Sequence, residues 1–315
     1  MKLFYYSGNN FGDKLNPIIW NSLAKELIDE DDSAILVGLG TLINSNVPVA
    51  PKKFIFGSGA GYMGPANIDD KWHFYCVRGP LTANILKLDS SLAITDPALL
   101  LREIYTRPVA ATGEVCFMPH HVSAGYADWR AICAGAGITY LDPGDDTDWV
   151  IEKIRGARLV IAEAMHAAIV ADAFRVPWVP VQIYDHILGF KWEDWCLSMQ
   201  LPYRPITIPS LWDADRQLNS KDKAKTWVKR GLRGAGIWSD NWTPALPAPN
   251  RRRKEDQVIM QLHALSSGSD AYLSNEVVQQ HALERLLQAV ERMKRHYPDT
   301  RVQVAQACNS LCAAM

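Results

Sequence analysis

The chain alternates short, continuously apolar runs with stretches whose apolar residues recur at helical spacing. In the first third, "KLFYY", "SAILVGLG", "KFIFGSG" and "HFYCV" read as strands. Their apolar positions are consecutive rather than alternate, as in strands covered on both faces. "NPIIWNSLAKELI" reads as a helix with Asn16 as its N-cap and Pro17 in the first helical position, and "GPLTANILKL" as a second proline-started helix. "LAITDPALLL" closes this part, and the aperiodic run from Arg102 to Gly113 reads as a linker. The rhythm then resumes: strand "EVCFMPHH", helix "GYADWRAICAGA", strand "ITYLD", helix "TDWVIEKIRGA", strand "RLVIAEA", helix "HAAIVADAF" and strand "WVPVQI". Strands alternating with helices of this length predict right-handed βαβ units and parallel sheets. The expected fold is therefore α/β, with two Rossmann-like domains facing a cleft, over residues 1–105 and 112–245. A linker and C-terminal helices follow over 246–315. There "PALPAPNRRRKED" reads as exposed linker. "NEVVQQHALERLLQAVERMKRHYP" reads as an amphipathic helix with Val278, Ala282, Leu286, Val290 and Met293 on one face. His263, His281 and His296 are read as surface or helix-edge residues.

Composition narrows the class. Hydrophobic residues make up 48% of the 315 positions and charged ones 21%, enough for a substantial core. A formal net charge of −1 gives no reason to expect nucleic acid as a partner. The six cysteines form no CxxC pair, so neither a disulfide framework nor a zinc site is signalled. "MKLFYYSGNNFGD" has no signal-peptide core, and "AILVGLGTLI" is about half a membrane span. A cytoplasmic protein is expected.

In parallel sheets, ligands bind beyond the carboxyl ends of the strands, where helix N-termini present free N–H groups. The unusual residues fall there: Asn10, Gly12 and Asp13 in "NNFGD", Gly57, Ser58 and Gly59 in "GSG", and Arg78 in "RGPLT". In the second half they are His120 and His121 in "PHH", and Glu163 and His166 in "EAMH". Each alone has an ordinary explanation as a cap, turn residue or ion-pair partner, and "GLG" at 38–40 lacks the third glycine of a dinucleotide fingerprint. Together, one arginine and three histidines at strand ends suit a small, highly anionic ligand. At the joint between strand and helix, His166 is expected to be neutral in the empty site and to become a charged general acid once an anion is bound.

"NFGD", "GSG", "RGPLT", "DPALLL", "PHH" and "EAMHAAIVADAFRVPW" occur in this order over roughly residues 1–185. On these motifs the chain resembles the polysaccharide pyruvyl transferases, above all their bacterial exopolysaccharide members. The resemblance implies a fold similar to GT-B glycosyltransferases, phosphoenolpyruvate as donor and a sugar of a lipid-linked oligosaccharide as acceptor. It implies a cyclic pyruvate ketal as product, with no cofactor and no metal. In that chemistry His166 is the acid and Asp13 the first choice of base, with Glu163 beside them as a second carboxylate or as the group that orients His166. Arg78 and His120 hold the donor anion. His121, Gly57, Ser58, Gly59, Met165 and Ala167 complete the donor side, and Asn10 and Gly12 the acceptor side. The chain departs from the family two residues before His166, where many members carry arginine and this one has Ala164. The donor cation is then expected to be Arg78, with Lys191 or Arg204 next. Two other readings stay open: a nucleotide-sugar glycosyltransferase on the same fold, and a non-catalytic binding module for acidic sugars or lipid carriers.

"KDKAKTWVKRGLRGAG" brings together Lys221, Lys223, Lys225, Lys229, Arg230 and Arg233 around Trp227 and Leu232, and "RRRK" follows at 251–254. The stretch reads either as a solvated helix and linker or as a reversible contact with the anionic inner surface of the membrane.

Overall fold

The computed structural model describes residues 1–61, 66–211, 219–235, 237 and 252–313. Two parallel sheets organise the chain. The first holds β1 (Lys2–Phe4), β2 (Ala34–Val37), β3 (Lys52–Phe56) and β4 (Trp72–Cys76), side by side in chain order. The second holds β5 (Val115–Met118), β6 (Thr139–Tyr140), β7 (Leu159–Ala162), β8 (Trp178–Gln182) and β9 (Ile206–Thr207), in the order β6-β5-β7-β8-β9. β2, β5 and β7 are buried at every position, which accounts for their unbroken apolar runs. Because every pairing is parallel, the carboxyl ends in each sheet share one edge.

The first helix, α1, spans Phe11–Leu23 and starts earlier than its proline suggests. Asn10, not Asn16, is the N-cap: its Oδ1 accepts from Gly12 N at 3.3 Å. Pro17 lies inside the helix, where its missing N–H leaves the Asp13 carbonyl without its helical donor. Asn16 supplies the substitute, donating from Nδ2 to Asp13 O at 3.2 Å and to Leu39 O at 3.1 Å. The motif "NFGD" is thus the first helical turn.

α2 (Pro80–Ile85) and α3 (Leu101–Ile104) follow in the first half, so Arg102 to Ile104 are helical rather than linker. In the second half α4 (Trp129–Ala136) starts after its cap Asp128, four residues later than the apolar pattern suggests. α5 (Thr147–Gly156), α6 (Met165–Ala173) and α7 (Gly189–Ser198) complete the βαβ units. α6 carries little amphipathic pattern because it is buried all round, in contact with β7 and β8 on one side and α1 and the turn Pro97–Leu100 on the other. Its alanines permit that close approach. Near its end, buried Asp172 accepts from Trp178 Nε1 at 3.0 Å, Ser274 N at 2.9 Å and Gln279 Nε2 at 2.9 Å.

α8 (Ser220–Gly234), α9 (Arg252–Leu265) and α10 (Glu276–Ala313) end the described chain. Arg252 to Asp256, expected as linker, are helical, while 244–251 lie outside the described residues. α9 packs on α4, whereas α10 returns to β4 of the first sheet. There Leu286, Val290, Met293 and Tyr297 join a core that includes Phe54 and Tyr75. The expected apolar face of α10 is therefore real, and His296 sits at its edge against Tyr75. On α8, Lys221, Lys223 and Lys225 are exposed, Trp227 is 75% exposed, and Lys225 Nζ lies 3.8 Å from Asp222 Oδ1. The side chains of Arg230, Arg233 and Arg251 to Arg253 lie outside the described residues. Cys76, Cys116, Cys133 and Cys196 are buried and unpaired. Among the described residues, no helix is long and apolar enough to cross a membrane.

Candidate active site

A cavity of about 650 Å³ opens where the carboxyl ends of both sheets meet. The loops after β1 and β2 supply one wall, with Tyr5, Tyr6, Asn10, Gly12, Asp13, Thr41, Leu42, Asn44 and Asn46 among its residues. The loops after β5, β7 and β8 supply the other, with His120, His121, Val122, Tyr126, Ala164, Met165, His166, His186 and Lys191. Charge is divided between them. Among the described residues, the first-sheet wall carries no lysine, arginine or histidine and one acid, Asp13, whereas the second-sheet wall carries four histidines and a lysine.

On the second wall, the rings of His120 and His121 lie 4.2 Å apart, and those of His120 and His186 5.2 Å apart. His186 Nε2 is 3.3 Å from Ser123 Oγ. Lys191, in the first turn of α7, is buried. Burial and the nearby Arg78 guanidinium push its ammonium down to about 8, against the opposing pull of Asp13 and Glu163. Burial, then the Lys191 charge, holds His120 far below the ordinary imidazole range, and lowers His121 and His186 in the same way. Each of these shifts favours the neutral ring. Among the described residues, no His, Cys, Asp and Glu side chains group to hold a metal ion.

At the floor, the first turns of α1 and α6 meet. A Cβ added at Gly12 would lie 1.9 Å from His166 Nδ1, so only glycine lets this imidazole sit against the α1 backbone. His166 Nε2 faces Asp96 Oδ2 at 3.5 Å, longer than a normal hydrogen bond, and both atoms are buried with no other partner. Asp96 is fixed by its other oxygen, which accepts from Ala98 N at 3.0 Å. Asp13 Oδ2 accepts from Asn10 Nδ2 at 2.6 Å. Burial raises the Asp13 carboxyl above its ordinary range, and His166, Asn10 and Lys191 oppose that rise. A buried carboxylate behind an imidazole, and a second carboxylate beside it, can move protons to and from a bound molecule.

The structure thus brings His166, Asp13, His120, His121, Met165, Asn10 and Gly12 to the cavity wall. Other expected residues stand behind it. Arg78 is fully buried, its Nε 3.4 Å from Asp194 Oδ2 and its Nη1 bonded to Gly40 O and Thr41 Oγ1. It therefore braces the wall from within, and Lys191 takes the cavity position instead. Gly57 and Gly59 give room to protein groups rather than to the cavity: added Cβ atoms would meet Pro97 Cγ at 2.0 Å and Arg78 Nη2 at 2.1 Å. Ser58 Oγ accepts from Leu42 N and donates to Gly40 O. Glu163 does not reach His166. Its oxygens accept from His120 N at 3.0 Å and Ile183 N at 3.1 Å, tying the loop after β5 to the end of β8. Ala167 is buried in α6 and Arg204 is exposed away from the cavity. Asp96 and His186 were missed. His186 was open to the same strand-end rule that found His120, since it follows β8.

Residues 2–185 match the model of the family described as polysaccharide pyruvyl transferase. Over 270 aligned residues the chain is 36% identical to the succinoglycan biosynthesis protein ExoV of Rhizobium meliloti (strain 1021), covering 80% of this chain and 78% of that protein. With a matching family model over most of both sheets and a relative at this identity, the chain belongs to the polysaccharide pyruvyl transferase family and is a transferase enzyme.

Proposed function

We propose that the protein transfers pyruvate from phosphoenolpyruvate onto a sugar of a lipid-linked oligosaccharide, forming a cyclic ketal in exopolysaccharide synthesis. In this reading the two sheets are the cores of two GT-B-like domains and the cavity is their cleft. The observation that carries it is the pairing of a basic, histidine-rich wall with His166 and Asp13 at the floor. No cofactor or metal takes part.

The donor's carboxylate and phosphate lie against Lys191, His120, His121 and His186. Their charge returns protons to the imidazoles that the empty cavity keeps neutral. His166 gives a proton to the methylene carbon, making the methyl group and leaving an oxocarbenium-like centre at the adjacent carbon. A sugar hydroxyl adds there and loses its proton to Asp13. The carbon–oxygen bond to phosphate then breaks and regenerates the cationic centre. A second hydroxyl adds and closes the ring, and its proton leaves with phosphate. Asp13 passes its proton to His166, so over the cycle one hydroxyl proton replaces the one given to the methyl group and the other ends on phosphate. Asp96 stabilises the imidazolium and holds the ring, the role the sequence suggested for Glu163. The enzyme works at the cytoplasmic face of the membrane, where the basic helix α8 meets anionic lipid.

The test is incubation with phosphoenolpyruvate and candidate lipid-linked oligosaccharides. Phosphate release without any nucleotide, and a ketal detected by mass analysis, are expected. Turnover of a nucleotide sugar in place of phosphoenolpyruvate would overturn the proposal.

A further inference from the structure

The first-sheet wall holds a feature that donor chemistry leaves unused. Of the large apolar side chains that stand exposed, two line the cavity: Tyr6 (66% exposed) and Val122 (39%). Tyr6 packs on the backbone. Its ring lies over Gly8, where an added Cβ would stand 2.5 Å from Tyr6 Cε1 and 2.9 Å from Cδ1. The ring thus packs one face on backbone and leaves much of its surface open to the cavity. Apart from Asp13, the described residues of this wall carry no charge. Asn44 is engaged by its own turn, donating to Thr41 O and accepting from Asn46 N. The Asn46 side chain is exposed, lines the cavity and has no partner among the described residues.

A pyranose has an apolar face of C–H groups and a rim of hydroxyls. An exposed aromatic face beside a free amide matches both, and an anionic ligand finds no cation among the described residues of this wall. We infer that this wall is a neutral-sugar subsite, in which Tyr6 is the platform under the acceptor's pyranose ring and Asn46 bonds its hydroxyls. The inference rests on the ketal-transfer reading for its orientation: sugar on the first-sheet wall, anion on the second.

The probes are methyl glucopyranoside, galactopyranoside and mannopyranoside, followed by saturation-transfer NMR on the full chain, with phosphoenolpyruvate binding measured separately by calorimetry. Wild type and Tyr6→Phe should saturate the ring C–H protons of at least one glycoside. Tyr6→Ala should weaken its binding about tenfold, and Gly8→Ala, which displaces the ring without removing it, should weaken it in the same direction. Phosphoenolpyruvate affinity and the melting temperature should stay at wild-type values in all three variants. Unchanged saturation in Tyr6→Ala, or no glycoside bound by wild type, overturns the subsite. Failure of ketal formation with sugar binding intact would instead overturn the transfer reaction and leave the subsite standing.

Discussion

The two walls of the cavity are built by the same device, loops at the carboxyl ends of parallel strands, yet they differ in nearly every chemical respect. The second-sheet wall gathers titratable nitrogen, and burial, with the Lys191 charge, lowers the proton affinity of its histidines His120, His121 and His186. The first-sheet wall gathers aromatic rings and amides, with Asp13 alone able to carry charge. The difference predicts that anion binding on the second-sheet wall is coupled to proton uptake, while binding on the opposite wall is not. It also separates the residues that line the cavity from those, like Arg78, whose charge is internal.

The sharpest way to break the contrast is at the floor. His166→Ala and His166→Gln should lower kcat by about 10²- to 10⁴-fold, the usual worth of general acid catalysis, with sugar binding unchanged; steady-state kinetics decide this. Arg78→Ala should act on folding, because it leaves buried Asp194 without its cation, held by hydrogen bonds from Leu81 N, Thr82 N and Thr82 Oγ1 alone, a loss of about 3 kcal/mol that thermal denaturation would reveal. Had Arg78 gripped the donor directly, the melting temperature would stay put while donor KM rose. Asp96→Asn should reduce kcat by about 10²-fold through misplacement of His166, with both KM values near wild type and a shifted pH profile. Lys191→Met should raise donor KM by about tenfold or more. Because burial depresses Lys191 to about 8, its proton is present in the empty cavity below that pH and lost above it. Donor affinity of the wild type should therefore fall as pH rises past about 8, and the Lys191→Met variant should lack this fall. The smallest effect belongs to α8, where each basic residue near an anionic surface contributes about 1 kcal/mol. Replacing Lys225, Lys229, Arg230 and Arg233 by Glu should abolish salt-sensitive cosedimentation with anionic vesicles and spare turnover of a soluble acceptor.

Much of this was readable before the structure. The apolar runs of β2, β5 and β7 announced themselves because both faces are covered, and the strand-end rule led to His120, His121 and His166. The failures share a cause. Pro17 resembled a helix start, and nothing local shows that Asn16 repairs the bond it breaks. Asp96 reads as an ordinary cap before proline, since only one of its oxygens is visible in local sequence; the other answers a histidine seventy positions on, through tertiary packing. Arg78 and Glu163 occupy strand-end positions as expected, but side-chain direction turned both inward, and periodicity carries no information about that.

The return of α10 to β4 sets an order of events during synthesis. Phe54 and Tyr75 belong to strands that leave the ribosome early, yet their cover, Leu286, Val290, Met293 and Tyr297, is translated more than two hundred residues later. At ordinary elongation rates of about 5–20 residues per second, that apolar face waits for ten seconds or more. During that interval the first-sheet core stands without the side chains that cover it in the finished protein.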